Sequence, residues 1–496
     1  MQTILALDQG TTGSTALVIS ESGQVVSRAY REFTQHFPSP GWVEHDPNEI
    51  WSVTRDVARD AMSRAAGTPM AIGITNQRET VVCWDRQTGE PLHNALVWQD
   101  RRTAARCREL QAERGDTYIY DKTGLVWDPY FSGTKIEWFL RQSEIRSRSP
   151  EQVVFGTIDS WLVYKLTAGR TFVTDHTNAS RTLLYNVNTH DWDADLLELF
   201  GVPRASLPDV RRSSEVFGMA DPTALGVEIP IAGIAGDQQA ALYGQGCWDP
   251  GQAKNTYGTG AFLLMAVGPE RGTGARAQEG RPQVLTTVAC GSSGEPIYAL
   301  EGSVFIAGAA VQWLRDGLGI IGRAAETEAM AAGLESTGGV YFVPALVGLG
   351  APYWEADARG TIVGLTRGTT KAHLVRSALE AMAYSTRDVA GAMTAVSGVP
   401  LAELKADGGA AANDWLMQFQ ADTLDVRVGR PDVVETTALG AAGLAGLAVG
   451  VWDDPRAFIE ARRYAWFEPR GAPKEGFMGW RRAVDTALYW ARQRRS

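Results

Sequence analysis

Three Gly- and Thr-rich turns carry the groups best suited to handling phosphate. They are Asp8-Gln9-Gly10-Thr11-Thr12-Gly13, Asn255-Thr256-Tyr257-Gly258-Thr259-Gly260 and Asp407-Gly408-Gly409-Ala410. Small residues leave backbone N–H groups unobstructed, and oriented amides bind anions without a net charge nearby. The threonines add hydroxyl donors. Asp8 is suited to holding Mg²⁺ through water, because Mg²⁺ keeps several waters and asks for few carboxylates. A second carboxylate, Asp237, follows the apolar run Ile231–Ile234 and Gly236, which permits a sharp turn. That puts Asp237 at a strand end facing a crevice, the usual ligand position in α/β folds. There it suits a general base drawing a proton from an attacking hydroxyl, an effect worth about 10²–10⁴-fold. On the residues alone it suits better the cap of the helix that Gln238–Leu242 begins, since Asp is a preferred capping residue.

Other chemistries are disfavoured. No G-x-x-x-x-G-K-[ST] run occurs, so a P-loop is excluded. Gly317-Leu318-Gly319-Ile320-Ile321-Gly322 matches G-x-G-x-x-G, yet it follows the helix-like run Val311–Arg315 rather than a strand. It reads as a helix end and loop. Cys83, Cys107, Cys247 and Cys290 form no C-x-x-C pair, and no H-E-x-x-H run appears, so buried reduced thiols are expected rather than a zinc site. A net charge of −10 disfavours nucleic acid or an anionic membrane as partner. The very short apolar run before Asp8 does not suit a secretory signal, so a cytoplasmic location is expected. Ala438–Trp452 is too short and too often interrupted by glycine to cross a membrane, and reads as a packed core helix.

These residues need elements to hold them. A chain of 496 residues exceeds one ordinary core, which predicts two large domains. Ile4–Leu7 and Ala16–Ile19 flank the first Gly/Thr turn as a hairpin, and the second turn feeds Ala261–Val267 in the same way. One such hairpin in each half suggests a repeated domain with a nucleotide held between the copies. Ala71–Ile74 and Val81–Trp84 read as strands, Leu374–Tyr384 and Trp415–Leu424 as helices, and the alternation predicts α/β domains. The boundary falls near residue 245, giving domains 1–245 and 246–496. Gly268–Arg281 has no apolar periodicity and is expected to be disordered. Arg78 and Glu79 are neighbours, which in a regular strand point to opposite faces. For both to reach one ligand the backbone must turn, and Thr75-Asn76-Gln77 is the expected irregular segment.

Leu7–Thr12, Gly73-Ile74-Thr75-Asn76-Gln77-Arg78-Glu79-Thr80, Gly236–Ala241, Lys254–Gly260 and Asp407–Gly409 closely resemble the glycerol kinases of the FGGY carbohydrate kinase family. Tyr130–Lys135 with Trp138, and Gly360–Glu380, fit broader patterns of that family, and the likeness runs from residue 3 to about residue 450. The resemblance implies two ribonuclease-H-like domains of the actin-type ATPase architecture with an interdomain catalytic cleft. It implies ATP-dependent phosphorylation of glycerol to sn-glycerol 3-phosphate, the first step of glycerol utilisation, with Mg²⁺ at Asp8 and Asp237. Arg78, Glu79, Tyr130, Asp237 and Gln238 would contact the glycerol hydroxyls, and Trp98 and Phe262 its carbon chain. Thr11, Thr12, Gly13, Thr259, Gly308, Gln312, Gly409 and Asn413 would contact the nucleotide, and Asp237 would be the base. A homodimer or homotetramer is implied.

The likeness has limits. Gly13 stands where many relatives carry a hydroxyl residue, and Thr15 where some carry Arg. Asp221–Glu228 lacks the Gly-rich, Arg-containing loop that binds a sugar-bisphosphate inhibitor in some members, and the His that others phosphorylate is missing from its region. The resemblance does not extend to either kind of regulation. Two other readings remain: a kinase for another polyol or sugar, such as xylulose, erythritol or gluconate, and a non-catalytic actin-like ATP switch.

Overall fold

A computed structural model describes residues 2–272, 282–433, 435–460, 462–471 and 474–493. Most of Gly268–Arg281, expected to be disordered, lies outside the described residues.

Two sheets organise the chain, and each opens on one of the expected hairpins. In the first half, strand Thr3–Gln9 pairs antiparallel with Gly13–Ser20 and parallel with Ala71–Asn76, which in turn runs parallel to Pro230–Gly236. The six strands lie in the order Ser214–Met219, Pro230–Gly236, Ala71–Asn76, Thr3–Gln9, Gly13–Ser20, Val25–Glu32. Asn76 pairs with Gln9 on one side and Gly236 on the other. Three parallel strands therefore end side by side. Whatever follows Gln9, Asn76 and Gly236 is delivered to one edge, which is where α/β sheets present ligands.

The second half repeats this arrangement. Gln252–Tyr257 pairs antiparallel with Ala261–Gly268 and parallel with Glu403–Asp407, with Thr256 opposite Asp407. The second and third Gly-rich turns are thereby brought together. Helix Lys371–Ser397 packs beneath, started by a capping box between Thr370 and His373 and stopped by Gly398 at φ 73°.

Helix Thr436–Ala448 is the packed helix expected at Ala438–Trp452, but it packs on the first sheet. Close approach is possible because glycine faces it. A Cβ on Gly73 would lie 2.2 Å from the Ala441 carbonyl oxygen, and one on Gly440 would lie 1.8 Å from that of Ala240. A helix of the second half thus packs directly on the sheet of the first.

All four cysteines are free and buried. Among the described residues, no helix is long and apolar enough to cross a membrane. The expected irregular segment is displaced by two residues. Thr75 and Asn76 are buried in regular strand pairing, and the backbone turns at Gln77–Thr80 instead.

Candidate active site

The turn after Asn76 resolves the opposite-faces problem. Glu79 takes a left-handed conformation, φ 61°, which costs a non-glycine residue roughly 1–2 kcal/mol. The surroundings hold it there. Ser132 Oγ donates to the Glu79 carbonyl at 2.8 Å, and Thr80 Oγ1 donates to Gln77 Oε1 at 2.9 Å. Arg78 and Glu79 consequently enter one buried cluster.

In that cluster Arg78 reaches three acidic or amide partners. Its Nε lies 3.1 Å from Asp237 Oδ1, its NH1 and NH2 donate to Glu301 at 2.7 and 3.2 Å, and NH1 also meets Gln239 Oε1 at 3.2 Å. Arg181 donates from Nε to Glu79 Oε1 at 2.7 Å and from NH2 to Glu301 Oε1 at 3.2 Å. Burial pushes the Glu79 carboxyl up, with Arg78 and Arg181 opposing the shift. Arg78, Glu79, Arg181 and Glu301 are at most 2% exposed at their side chains, whereas Asp237 is 35% exposed. Asp237 is the one carboxylate of this set that is open to solvent.

Gly236 holds the N-cap position of helix Asp237–Gly244, so Asp237 itself stands in the first turn. Its Oδ1 accepts the Gln238 N–H at 2.7 Å, so it supports the helix start while remaining accessible. Gly236 has a steric reason as well: a Cβ there would lie 2.8 Å from the Arg78 side chain. Asp8, in strand Thr3–Gln9 one strand removed from Pro230–Gly236, is pushed up to about 7, first by burial and then by the like charge of Asp237. Among the described residues no group of three or more metal-ligating side chains occurs. Two adjacent carboxylates nonetheless suit Mg²⁺, which fills most of its shell with water or phosphate oxygen.

Next to this cluster lies a cavity of about 650 Å³ whose lining includes Trp98, Tyr130, Phe262, Glu301 and Thr259. The Trp98 and Tyr130 rings meet edge to face at 5.5 Å, and Trp98 Nε1 donates to Thr11 Oγ1 at 2.9 Å. The aromatic wall is therefore tied to the tip of the first hairpin. Buried Lys135 supports the wall from behind, donating to the Tyr130 carbonyl at 3.1 Å. Gln238 Oε1 accepts from the ammonium of Lys254, which is also fully buried and reaches Thr256 Oγ1 at 2.9 Å.

A second cavity, about 590 Å³, is lined by Gly258, Thr259, Gly308, Gln312, Gly409 and Asn413, among others. Gly308 N–H donates to the Gly258 carbonyl at 3.0 Å, and a Cβ on Gly308 would approach that oxygen to 2.6 Å. Gly408 needs its φ of 86°, since its backbone passes against Tyr257. Asn413 caps helix Asp414–Leu424 through Leu416 N at 2.9 Å and also donates to Thr327 Oγ1 at 3.2 Å. Thr259 borders both cavities, so the two adjoin. Thr12 is exposed at the first hairpin's tip, whereas Gly13 is buried, and a Cβ there would lie 2.6 Å from Arg31 O and 2.8 Å from the Tyr30 ring.

Glu301, Arg181 and Gln239 were missing from the sequence-derived site. Glu301 carried a faint signal as a lone charge in the apolar run Ile297–Val304, since a buried charge demands a partner. Arg181 carried none.

A Plasmodium falciparum glycerol kinase structure with ADP superposes with a TM-score of 0.93 at 36% identity, covering 98% of each chain. A ligand-bound xylulose kinase from Lactobacillus acidophilus shares the fold, with a TM-score of 0.87 at 22% identity over 99% of this chain and 98% of that one. The architecture is thus the two-domain α/β fold of sugar kinases, of the actin-type ATPase class. The N-terminal domain of the FGGY family of carbohydrate kinases matches residues 3–244, and the C-terminal domain matches residues 253–449. A glycerol kinase of Deinococcus radiodurans is 56% identical over 501 residues, covering 99% of this chain and 98% of the relative. One of Petrotoga mobilis is 54% identical over 500 residues, covering 99% of each. The chain belongs to the FGGY family of carbohydrate kinases.

Proposed function

We propose that this chain is an ATP-dependent glycerol kinase, moving the γ-phosphoryl group of ATP to a terminal hydroxyl of glycerol to give sn-glycerol 3-phosphate. The observation that carries the reading is the convergence of Arg78, Glu79 and Asp237 beside a cavity walled by Trp98, Tyr130 and Phe262, adjoining a second, Gly-lined cavity at Thr259. Relatives more than half identical over nearly the whole chain bear the name glycerol kinase.

Phosphoryl transfer needs positioning, charge neutralisation and a base near the nucleophile. Asp237 accepts the proton of the attacking hydroxyl as its oxygen bonds to the γ-phosphorus and the bond to the β-bridging oxygen breaks, leaving ADP. Arg78 and Glu79, with Tyr130 and Gln238, pair with the polyol hydroxyls, and Trp98 and Phe262 cover its carbons. A site built to pair with hydroxyls rejects substrates lacking them by about 10⁴–10⁵-fold, because its own polar groups are otherwise left unpaired. Thr11, Thr12 and Thr259 offer hydroxyl and amide donors to the phosphates, and Gly308, Gln312, Gly409 and Asn413 surround the nucleoside. Mg²⁺, held through Asp8 and Asp237, would supply neutralisation of phosphate charge, and the half-buried Asp8, whose carboxyl is pushed up by burial and by the like charge of Asp237, fits a cation there. Water is the rival nucleophile, so the halves close about a hinge near residue 245 before transfer.

A substrate panel with coupled ADP detection tests the reading. Glycerol should drive ADP release, with xylulose, erythritol and gluconate far behind. A pentulose turning over while glycerol fails would overturn it, and slow hydrolysis indifferent to any polyol would mark an ATP switch instead.

A further inference from the structure

Glu301 lies in strand Pro296–Val304 of the second sheet, between Leu300 and Gly302, and is 1% exposed. Its carboxylate crosses to the first half. Oε2 accepts from Arg78 NH1 at 2.7 Å, while Oε1 accepts from Arg78 NH2 and Arg181 NH2, both at 3.2 Å. The two arginines, like charges buried side by side, thus share one carboxylate supplied by the opposite half. Each then passes the constraint on: Arg181 holds Glu79 at 2.7 Å, and Arg78 lies 3.1 Å from Asp237. Both Glu301 oxygens are committed to guanidinium groups, so its influence on a substrate must run through those groups.

We propose that Glu301 is a positioning residue that couples the approach of the two halves to assembly of the polyol site. With Glu301 in place, Arg78 and Glu79 are held in orientation to receive hydroxyls. When the halves part, the carboxylate leaves with the second sheet, and the two guanidiniums repel and lose that orientation. A buried charge stripped of its partner does not stay put, because an uncompensated buried charge is strongly unfavourable. The lowered pKa of Glu301 fits a permanently ionised clasp. Burial would push the Glu301 carboxyl up, yet Arg181 and Arg78 hold it at about 2. Polyol recognition is therefore a property of the closed pair of domains rather than of the first domain alone. This inference rests on the proposed glycerol site for its kinetic consequence, but the clasp itself does not depend on which polyol is bound.

The test uses the full chain carrying Glu301→Gln, with Arg181→Lys as a second variant that keeps the charge but loses the fork. Losing hydrogen bonds to charged groups predicts a rise of about tenfold or more in KM for glycerol. KM for ATP should stay within about twofold, a split that a merely destabilised protein would not show. Small-angle scattering of the substrate-free protein should give a larger radius of gyration for Glu301→Gln than for wild type. Glu301→Asp, restoring a carboxylate at shorter reach, should recover part of the glycerol KM. An unchanged glycerol KM in Glu301→Gln overturns the proposal, and if that variant does not fold, an unchanged KM in Arg181→Lys does so. Should wild type fail to phosphorylate glycerol, the functional reading falls by itself. The scattering arm then still decides, since equal radii overturn the clasp and an expanded variant supports it.

Discussion

Acid should loosen the first hairpin through His45. This residue is buried, and its imidazole is pushed down to about 4, chiefly by burial and further by His36. Its partners assign the tautomer. Nε2–H donates to Gln35 Oε1 at 2.7 Å, so Nδ1 is the acceptor for Gln77 Nε2 at 3.4 Å. Gln35 Nε2 then donates to the Thr11 carbonyl at 2.9 Å, and Gln77 Nε2 to Gln9 Oε1 at 3.0 Å. A protonated ring would set a donor against the Gln77 donor and break this support of the hairpin tip. The unfolded value is 6.5 and the folded value is lower, so the native state binds fewer protons in this window. The stability involved is present above pH 6.5 and is lost as pH falls towards about 4. At pH 5 the interval is about 1.5 units, at about 1.4 kcal/mol each, which gives roughly 2 kcal/mol. His45→Gln removes the titration while keeping a donor and an acceptor. Between pH 7.5 and pH 5, wild type should lose about 4–8 °C of melting temperature more than His45→Gln does, by differential scanning fluorimetry. Melting curves that keep the same separation at both pH values would refute the reasoning.

Two further substitutions address the cavities. Gly308→Ala brings a methyl to 2.6 Å from the Gly258 carbonyl, so the second hairpin tip must shift by several tenths of an ångström. A misplacement of that order should raise the KM for ATP by about tenfold and leave the glycerol KM near wild type, measured by varying each substrate in turn. Trp98→Phe keeps an aromatic wall but removes the 2.9 Å bond to Thr11, which should lower kcat/KM for glycerol by about fivefold, the worth of one neutral hydrogen bond.

The sequence and the fold agree wherever the signal is local. Both hairpins were legible because glycine and threonine turns interrupt apolar runs of strand length, and Asp237 was legible because a strand, a glycine and a helix start adjoin there. The irregular segment was misplaced for a physical reason. Thr75 and Asn76 look like loop residues by polarity, but Asn76 is satisfied inside the sheet by Asn178, bonded at 3.0 Å across 102 residues of sequence. The same distance hides the clasp: Arg181 and Glu301 are 120 residues apart, and Arg78 and Glu301 are 223 apart. Helix Thr436–Ala448 was recognisable as a helix, yet its partner was not. Its glycines anticipated close packing without saying that the surface beneath would be the first sheet.

The base role of Asp237 is the centre of the account, and Asp237→Asn tests it most directly. Asparagine keeps an oxygen able to accept from Arg78 and from the Gln238 N–H, so the geometry at 3.1 and 2.7 Å is retained while the proton acceptor is lost. With glycerol and ATP saturating, kcat should fall at least about 10²-fold, with KM for glycerol changing far less. A variant that turns over glycerol at the wild-type rate would contradict the mechanism.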